Sequence, residues 1–141
     1  MVNSSDQLDA TLVAELTRRA REARERAYAP YSHYAVGAAL LGKSGRVYTG
    51  CNVENSSYGL AICAERTAVV KAVSEGETEF QALAVVTSNG GTPCGACRQV
   101  YFEFASPGAP VIIADTAGTI HKIYTIGELL ADGFGPAQLK N

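Results

Sequence analysis

No run in the 141-residue sequence approaches the roughly 18 consecutive apolar residues that would cross a bilayer, so no membrane-spanning helix is expected. The opening residues 1–9 are polar and lack the apolar core of a secretory signal. Basic charge is not in excess either: 12 Lys and Arg stand against 14 Asp and Glu, a net charge of −2. A nucleic-acid binder usually presents a basic face. The arginines that do cluster, Arg18, Arg19, Arg21, Arg24 and Arg26, are interleaved with Glu15, Glu22 and Glu25. That mixture reads as a solvated helix face laced with ion pairs. Neither nucleic acid nor membrane is an expected partner. Cysteine is sparse, with four in the chain, and three of them fall in two short motifs that leave Cys51 alone. A disulfide framework is not expected, and a reducing cytoplasm is the natural compartment. Repeats, linkers and low-complexity stretches are missing too, so residues 1–141 read as a single domain. Its 47% hydrophobic and 18% charged residues suit a compact core.

The two cysteine motifs organise the rest. They are Cys63-Ala64-Glu65-Arg66 and Pro93-Cys94-Gly95-Ala96-Cys97-Arg98-Gln99. Thiolates bind zinc well in tetrahedral sites, and three protein ligands leave a fourth position for water. A carboxylate beside that water can move protons during hydrolysis. The pattern proposes a catalytic Zn²⁺ held by Cys63, Cys94 and Cys97, with Glu65 as proton shuttle. Blander readings compete. A Cys-x-x-Cys pair also serves redox chemistry, but such a motif should follow the first strand of a βαβ pattern. A closed structural zinc needs a fourth ligand, for which Cys51, His33 and His121 are the candidates, and none lies at a ligand spacing. The Cys-Ala-Glu tripeptide tips the balance toward catalysis.

Periodicity places these motifs. Residues 8–27 read as an amphipathic helix with Leu8, Leu12, Leu16, Ala20 and Ala23 on one face. Residues 34–41 and 46–49, joined by Gly42-Lys43-Ser44-Gly45, carry a β-hairpin signal. A helix is expected from Cys63 to Glu75, a strand over 83–86, and a second helix from Cys94 to about Ala105. Strands over 110–114 and 120–124, a short helix over 126–131 and a Gly/Pro-rich tail complete the chain. Both metal segments enter a helix, whose start favours thiolate over thiol. The direction of Glu65 depends on whether Cys63 is inside its helix or caps it. Three thiolates on Zn²⁺ leave a net negative site, poor for acidifying water, and Arg66 and Gln99 are candidates to donate hydrogen bonds to the sulfurs.

The resemblance extends beyond the metal motifs. Cysteine or histidine before x-Glu, then Pro-Cys-x-x-Cys, is the established signature of zinc deaminases. Together with residues 31–40 (Tyr-Ser-His-Tyr-Ala-Val-Gly-Ala-Ala-Leu), 50–55 (Gly-Cys-Asn-Val-Glu-Asn) and 58–66, it resembles the cytidine deaminase family, in its small, three-cysteine, homotetrameric branch. The resemblance implies a three-layer α/β/α sandwich around a mixed five-stranded sheet. It implies hydrolytic deamination of cytidine and deoxycytidine in pyrimidine salvage, with zinc-bound hydroxide attacking C4 and Glu65 moving the protons. It also implies that Asn52 and Glu54 hold ribose hydroxyls and that the Ala64 N–H orients the base carbonyl. Tyr34, where the family more often has Phe, would pack on the nucleoside, while Tyr58 and Phe134 would reach a neighbouring subunit's site. A deaminase of a modified aminonucleoside such as blasticidin S, or a noncatalytic zinc-stabilised binding protein, is the alternative.

Overall fold

The computed structural model describes residues 8–140. The first helix, α1 (Ala10–Arg24), opens at Asp9, whose carboxylate accepts from Leu12 N at 2.8 Å and satisfies a free helix-start N–H. The cap trims the expected span at its N-terminal end. Leu16, Thr17, Ala20 and Ala23 form its buried stripe. On the outer face Arg18 pairs with Glu15 and Glu22 at 2.7 and 2.6 Å, as the interleaved charges suggest.

Five strands follow: β1 (Gly37–Gly42), β2 (Val47–Cys51), β3 (Phe80–Thr87), β4 (Pro110–Asp115) and β5 (Ile120–Thr125). They form one sheet in the order β2-β1-β3-β4-β5, in which only β3 and β4 run parallel. Strand β3 is longer than its apolar run, because Phe80 pairs with Gly42 across a bulge and extends the ladder. Side chains alternate across the sheet, and here both faces are covered. Leu40, Leu83, Val85, Val111 and Ile113 pack toward α2 (Ala64–Ser74) and α3 (Gly95–Phe104). Ala39, Leu41, Ala84, Val86 and Ile112 pack toward α1. The outcome is the expected α/β/α sandwich with a mixed five-stranded sheet.

Two short helices close the chain. In α4 (Ile126–Leu129), Thr125 and Glu128 cap one another reciprocally. The Gly/Pro-rich tail contains α5 (Pro136–Leu139), which proline can start because its missing N–H is not needed there.

Two glycines allow the layers to close up. A Cβ on Gly37 would lie 1.9 Å from the Ala20 carbonyl oxygen, and one on Gly50 would lie 2.6 Å from both Ala64 O and Ala68 N. Helix α2 therefore starts directly against β2. The register pairs Gly37 with both Cys51 and Val86, and Thr87 with Asp115. The start of β1 and the ends of β2, β3 and β4 thus share one edge, the side of an open α/β sheet where ligands usually bind.

Candidate metal centre and its cavity

Cys63 and Cys94 are the residues immediately before α2 and α3, each in extended backbone conformation, and Cys97 lies in the first turn of α3. Two helix starts therefore aim their partial positive charge and free N–H groups at one point. The three sulfurs lie within 4.8 Å of one another and are the metal-competent group among the described residues. Cys63 and Cys94 sulfurs are 3.8 Å apart, and those of Cys94 and Cys97 3.4 Å. A tetrahedral zinc with Zn–S bonds near 2.3 Å needs sulfur–sulfur edges of about 3.8 Å. The donor set fits zinc. All three cysteines are free of disulfides, as is Cys51, whose thiol points to the Arg26 carbonyl.

The Cys63 thiol is lowered to about 5, chiefly by the hydrogen bond from Cys97 and also by those from Arg66 and Cys94. Cys97 is pushed well above the ordinary thiol range by donating to Cys63, by burial and by the nearby Glu65 charge. A cation among the sulfurs would hold all three as thiolates, since each would then face positive charge. Arg66 Nη2 donates to the Cys63 sulfur at 3.5 Å. Gln99 does otherwise. Its amide nitrogen donates to the Phe134 carbonyl at 2.8 Å, tying α3 to the C-terminal segment. Two residues along a helix is a rotation of about 200°, so Gln99 leaves α3 on the side away from Cys97.

Glu65, the second residue of α2, is 4% exposed. Because Cys63 lies outside the helix as its cap, Glu65 turns inward beside the sulfurs without joining their cluster. Burial raises its carboxyl to about 7, helped by the Cys63 charge and opposed by its own backbone N–H and by Arg66. A group with that value near neutral pH can both take and give a proton.

Cys63, Cys94, Glu65 and Arg66 open into a cavity of 350 Å³ whose opposite wall includes Tyr34, Asn52, Glu54 and Ser32. That is a small-molecule volume. The walls meet because Val53 and Ile62 exchange backbone hydrogen bonds at 2.9 and 3.0 Å, placing the 52–54 segment beside Cys63. A larger groove, 710 Å³, lies elsewhere, between α1 and β5, but its lining of Leu8, Val13, Ile120, Ile123, Arg18 and Arg21 offers no comparable chemistry.

Other candidates sit as follows. Asn52, buried after β2, donates to Tyr34 O at 2.8 Å and accepts from Val36 N at 2.9 Å, bracing the segment before β1. The Glu54 carboxylate accepts from Ser32 Oγ, Tyr31 N and Ser32 N. These bonds, the Ser32 hydroxyl first, hold it below the usual range. Ala64 is buried at the start of α2, where backbone N–H groups have no intrahelical acceptor. Tyr58, 74% exposed, tilts against Tyr31 at 5.6 Å in a neighbouring depression that shares Ser32 and Glu54 with the cavity. Phe134, 57% exposed, stands away from the cavity of its own chain.

Sequence reasoning missed Arg98. Its guanidinium donates to Pro93 O at 2.8 Å, Leu129 O at 3.0 Å and Thr92 Oγ1 at 3.2 Å, fastening the Cys94 loop to α4. Its signal was its place beside Cys97 within the motif. Loop carbonyls invite a planar group with five donors.

Residues 11–113 match the family model described as the cytidine and deoxycytidylate deaminase zinc-binding region. The chain is similar to the cytidine deaminase of Sporosarcina psychrophila, 48% identical over 129 residues that cover 90% of this chain and 94% of that protein. It is 50% identical over 121 residues to the cytidine deaminase of Halalkalibacterium halodurans, covering 84% and 91% respectively. Among solved structures, that of cytidine deaminase from Burkholderia pseudomallei is similar with a TM-score of 0.82 at 45% identity, covering 90% of this chain and 100% of that one.

Proposed function

The chain belongs to the cytidine and deoxycytidylate deaminase family, and from that premise we propose that it is a zinc-dependent cytidine deaminase, converting cytidine and deoxycytidine with water to uridine or deoxyuridine and ammonia. The observation that carries this reading is a buried carboxyl, raised to about 7, beside three zinc-competent sulfurs, two of which line the same 350 Å³ cavity as the carboxyl. A noncatalytic zinc protein has no use for that arrangement, since a carboxylate held under a desolvation cost lowers stability.

Cys63, Cys94 and Cys97 hold the zinc, which when bound supplies the Lewis acidity that makes water nucleophilic near neutral pH. Glu65 takes a proton from the attacking water and gives it to N3 of the pyrimidine as the new bond forms at C4. It then carries a second proton to the departing amine, so that ammonia leaves and the carbonyl forms. Arg66 donates to the Cys63 thiolate and offsets the negative charge of a three-thiolate site. The Ala64 N–H orients the base carbonyl. Tyr34 packs its ring on the nucleoside, and Asn52 and Glu54 take the sugar hydroxyls.

The lining also discriminates between substrates. Among the described residues Arg66 is its one cationic side chain and is occupied with Cys63, while Glu54 adds negative charge on the opposite wall. A phosphate would find repulsion there and no clamp. Nucleosides, not nucleotides, are the substrate class. The exposed Tyr58 and Phe134 are assigned to a neighbouring subunit's site in a homotetramer that works in cytoplasmic pyrimidine salvage. Sedimentation should then give a species about four times the 14.8 kDa chain, and a fully active monomer would remove the shared sites. The direct test is ammonia release from cytidine, deoxycytidine and cytidine monophosphate by zinc-loaded protein. Failure on both nucleosides overturns the assignment, and preference for the nucleotide overturns the substrate class.

A further inference from the structure

The segment before β1 and the turn after β3 meet beside the cavity through the Tyr34 side chain. Tyr34 donates from its hydroxyl to Asn89 Oδ1 at 2.7 Å. The same oxygen accepts from the Thr87 hydroxyl at 3.4 Å, and Thr87 Oγ1 in turn accepts from Gly91 N at 2.7 Å. Thr87 is 2% exposed, so the anchor of this turn is fixed in the core. At its other end Tyr34 is tied to the sugar side. Its amide donates to Ser32 Oγ at 3.0 Å, Ser32 donates to the Glu54 carboxylate, and the Tyr34 carbonyl accepts from Asn52. His33, at φ 58°, makes the left-handed bend that delivers the ring to this position.

Gly91 supplies the seat. A Cβ there would lie 2.6 Å from the Tyr34 hydroxyl oxygen, with Thr87 Oγ1 and Asn89 Oδ1 next at 3.7 and 3.8 Å. Gly91 is not in the left-handed region, so what demands glycine is the room taken by that one oxygen. Thr92, Pro93 and Cys94 follow directly, and Gly91, Thr92 and Cys94 all line the cavity.

We propose that the Tyr34 hydroxyl is a positioning group: seated in the notch left by Gly91 and held by Asn89, it locks the aromatic wall of the cavity to the turn that delivers Cys94. Resting on the nucleoside deaminase reading, the latch sets the sugar contacts of Glu54 and Asn52 in register with the reacting ring. Misplacing a substrate slightly is enough to slow its chemistry. A bound ligand also excludes water from the Tyr34–Asn89 bond and strengthens it.

The test is a double-mutant cycle in zinc-loaded protein, with kcat/KM for cytidine and the affinity for uridine as paired readouts. Tyr34→Phe and Asn89→Ala should each lower kcat/KM about three- to tenfold, the range of one hydrogen bond. The double variant should fall no further than either single one, with zinc content unchanged, unfolding temperature lowered by only a few degrees and uridine affinity following the same pattern. Gly91→Ala supplies an arm of opposite sign. It should lower both kcat/KM and unfolding temperature in the wild-type background, and Tyr34→Phe should restore much of both, because the oxygen that the methyl strikes is gone.

Additive losses in the cycle would overturn the latch. So would a harmless Asn89→Ala beside a harmful Tyr34→Phe, which would mean that the hydroxyl touches the ligand itself. Equal damage from Gly91→Ala in both backgrounds would remove the seat. The unfolding-temperature arm reads the seat even if wild type releases no ammonia from cytidine, an outcome that overturns the functional reading instead.

Discussion

Replacing Glu65 by glutamine should make the protein more stable and nearly inactive at once. The carboxyl is 4% exposed, and burial lifts it from 4.5 to about 7. Holding it ionised above pH 7 therefore costs about 3 kcal/mol relative to the unfolded chain. Its folded value lies above its unfolded one, and the group is an acid. The cost is thus absent below pH 4.5, grows between 4.5 and 7, and is complete above 7. Glutamine keeps the shape without the charge but leaves an amide to be satisfied, at a cost of about 1–2 kcal/mol. The net gain above pH 7 is about 1–2 kcal/mol, or a rise of about 3–8 °C in unfolding temperature. Saturating zinc reduces that gain, because a nearby cation favours the carboxylate. Turnover should fall by about 10²–10⁴, the contribution of a positioned acid–base group, and zinc content should stay at that of the wild type. The assay follows unfolding of both proteins from pH 5 to 8 at equal zinc, together with ammonia release. A stability difference that does not change with pH would show that Glu65 is not held under a desolvation cost. Near-normal turnover would remove it from the mechanism.

Other substitutions separate the roles of the surrounding residues. Cys63→Ala should abolish tight zinc binding, checked by metal analysis of the purified protein, and one equivalent surviving would remove Cys63 from the ligand set. Glu54→Ala should lower kcat/KM for cytidine by about 1.5–3 kcal/mol through loss of a charged hydrogen bond. It should lower that for free cytosine, which has no sugar, far less, and equal losses on both would deny Glu54 the sugar contact. Gly50→Ala inserts a methyl 2.6 Å from the backbone of α2. It should cost about 1–3 kcal/mol in chemical denaturation and weaken zinc retention by shifting Cys63, whereas unaltered zinc retention would uncouple that contact from the site.

The legible parts of this molecule were those encoded within one element. Cys94 and Cys97 are three apart at a helix start, and Leu16, Ala20 and Ala23 repeat at helical spacing, so both patterns survive folding unchanged. Interleaved arginines and glutamates paired as expected along α1. What periodicity alone could not supply was the meeting of separate elements. The count of five strands came from resemblance and their order only from the structure, because no local pattern says that β1 lies between β2 and β3. The extra length of β3 depends on a bulge opposite Gly42, and the task of Arg98 depends in part on a carbonyl 31 residues away. Gln99 is a different kind of miss. Its turn away from Cys97 follows from the helical angle, which was readable once the start of α3 was placed.

Two construction methods coexist in the site, and they divide its work. The sulfur side stands on the starts of α2 and α3, which are pressed onto the sheet by the Leu40, Leu83, Val85 and Ile113 layer. Such a platform is rigid because moving a cysteine means moving a packed helix. The opposite wall is built differently, from chain segments held by hydrogen bonds: Ser32 to Glu54, Asn52 to residues 34 and 36, and Tyr34 to Asn89. The neutral bonds there are each worth about 1 kcal/mol and those to the Glu54 carboxylate about 1.5–3 kcal/mol, and none of them belongs to the apolar layers of the sheet. Changes on the helix side should therefore register as lost zinc and lost stability. Changes on the loop side that only remove a hydrogen bond should register mainly as altered affinity and selectivity, with small losses of stability, whereas a clash such as that of Gly91→Ala should register in both. A reaction centre needs fixed distances and a specificity pocket needs room to vary, so the division places each demand on the kind of structure able to meet it.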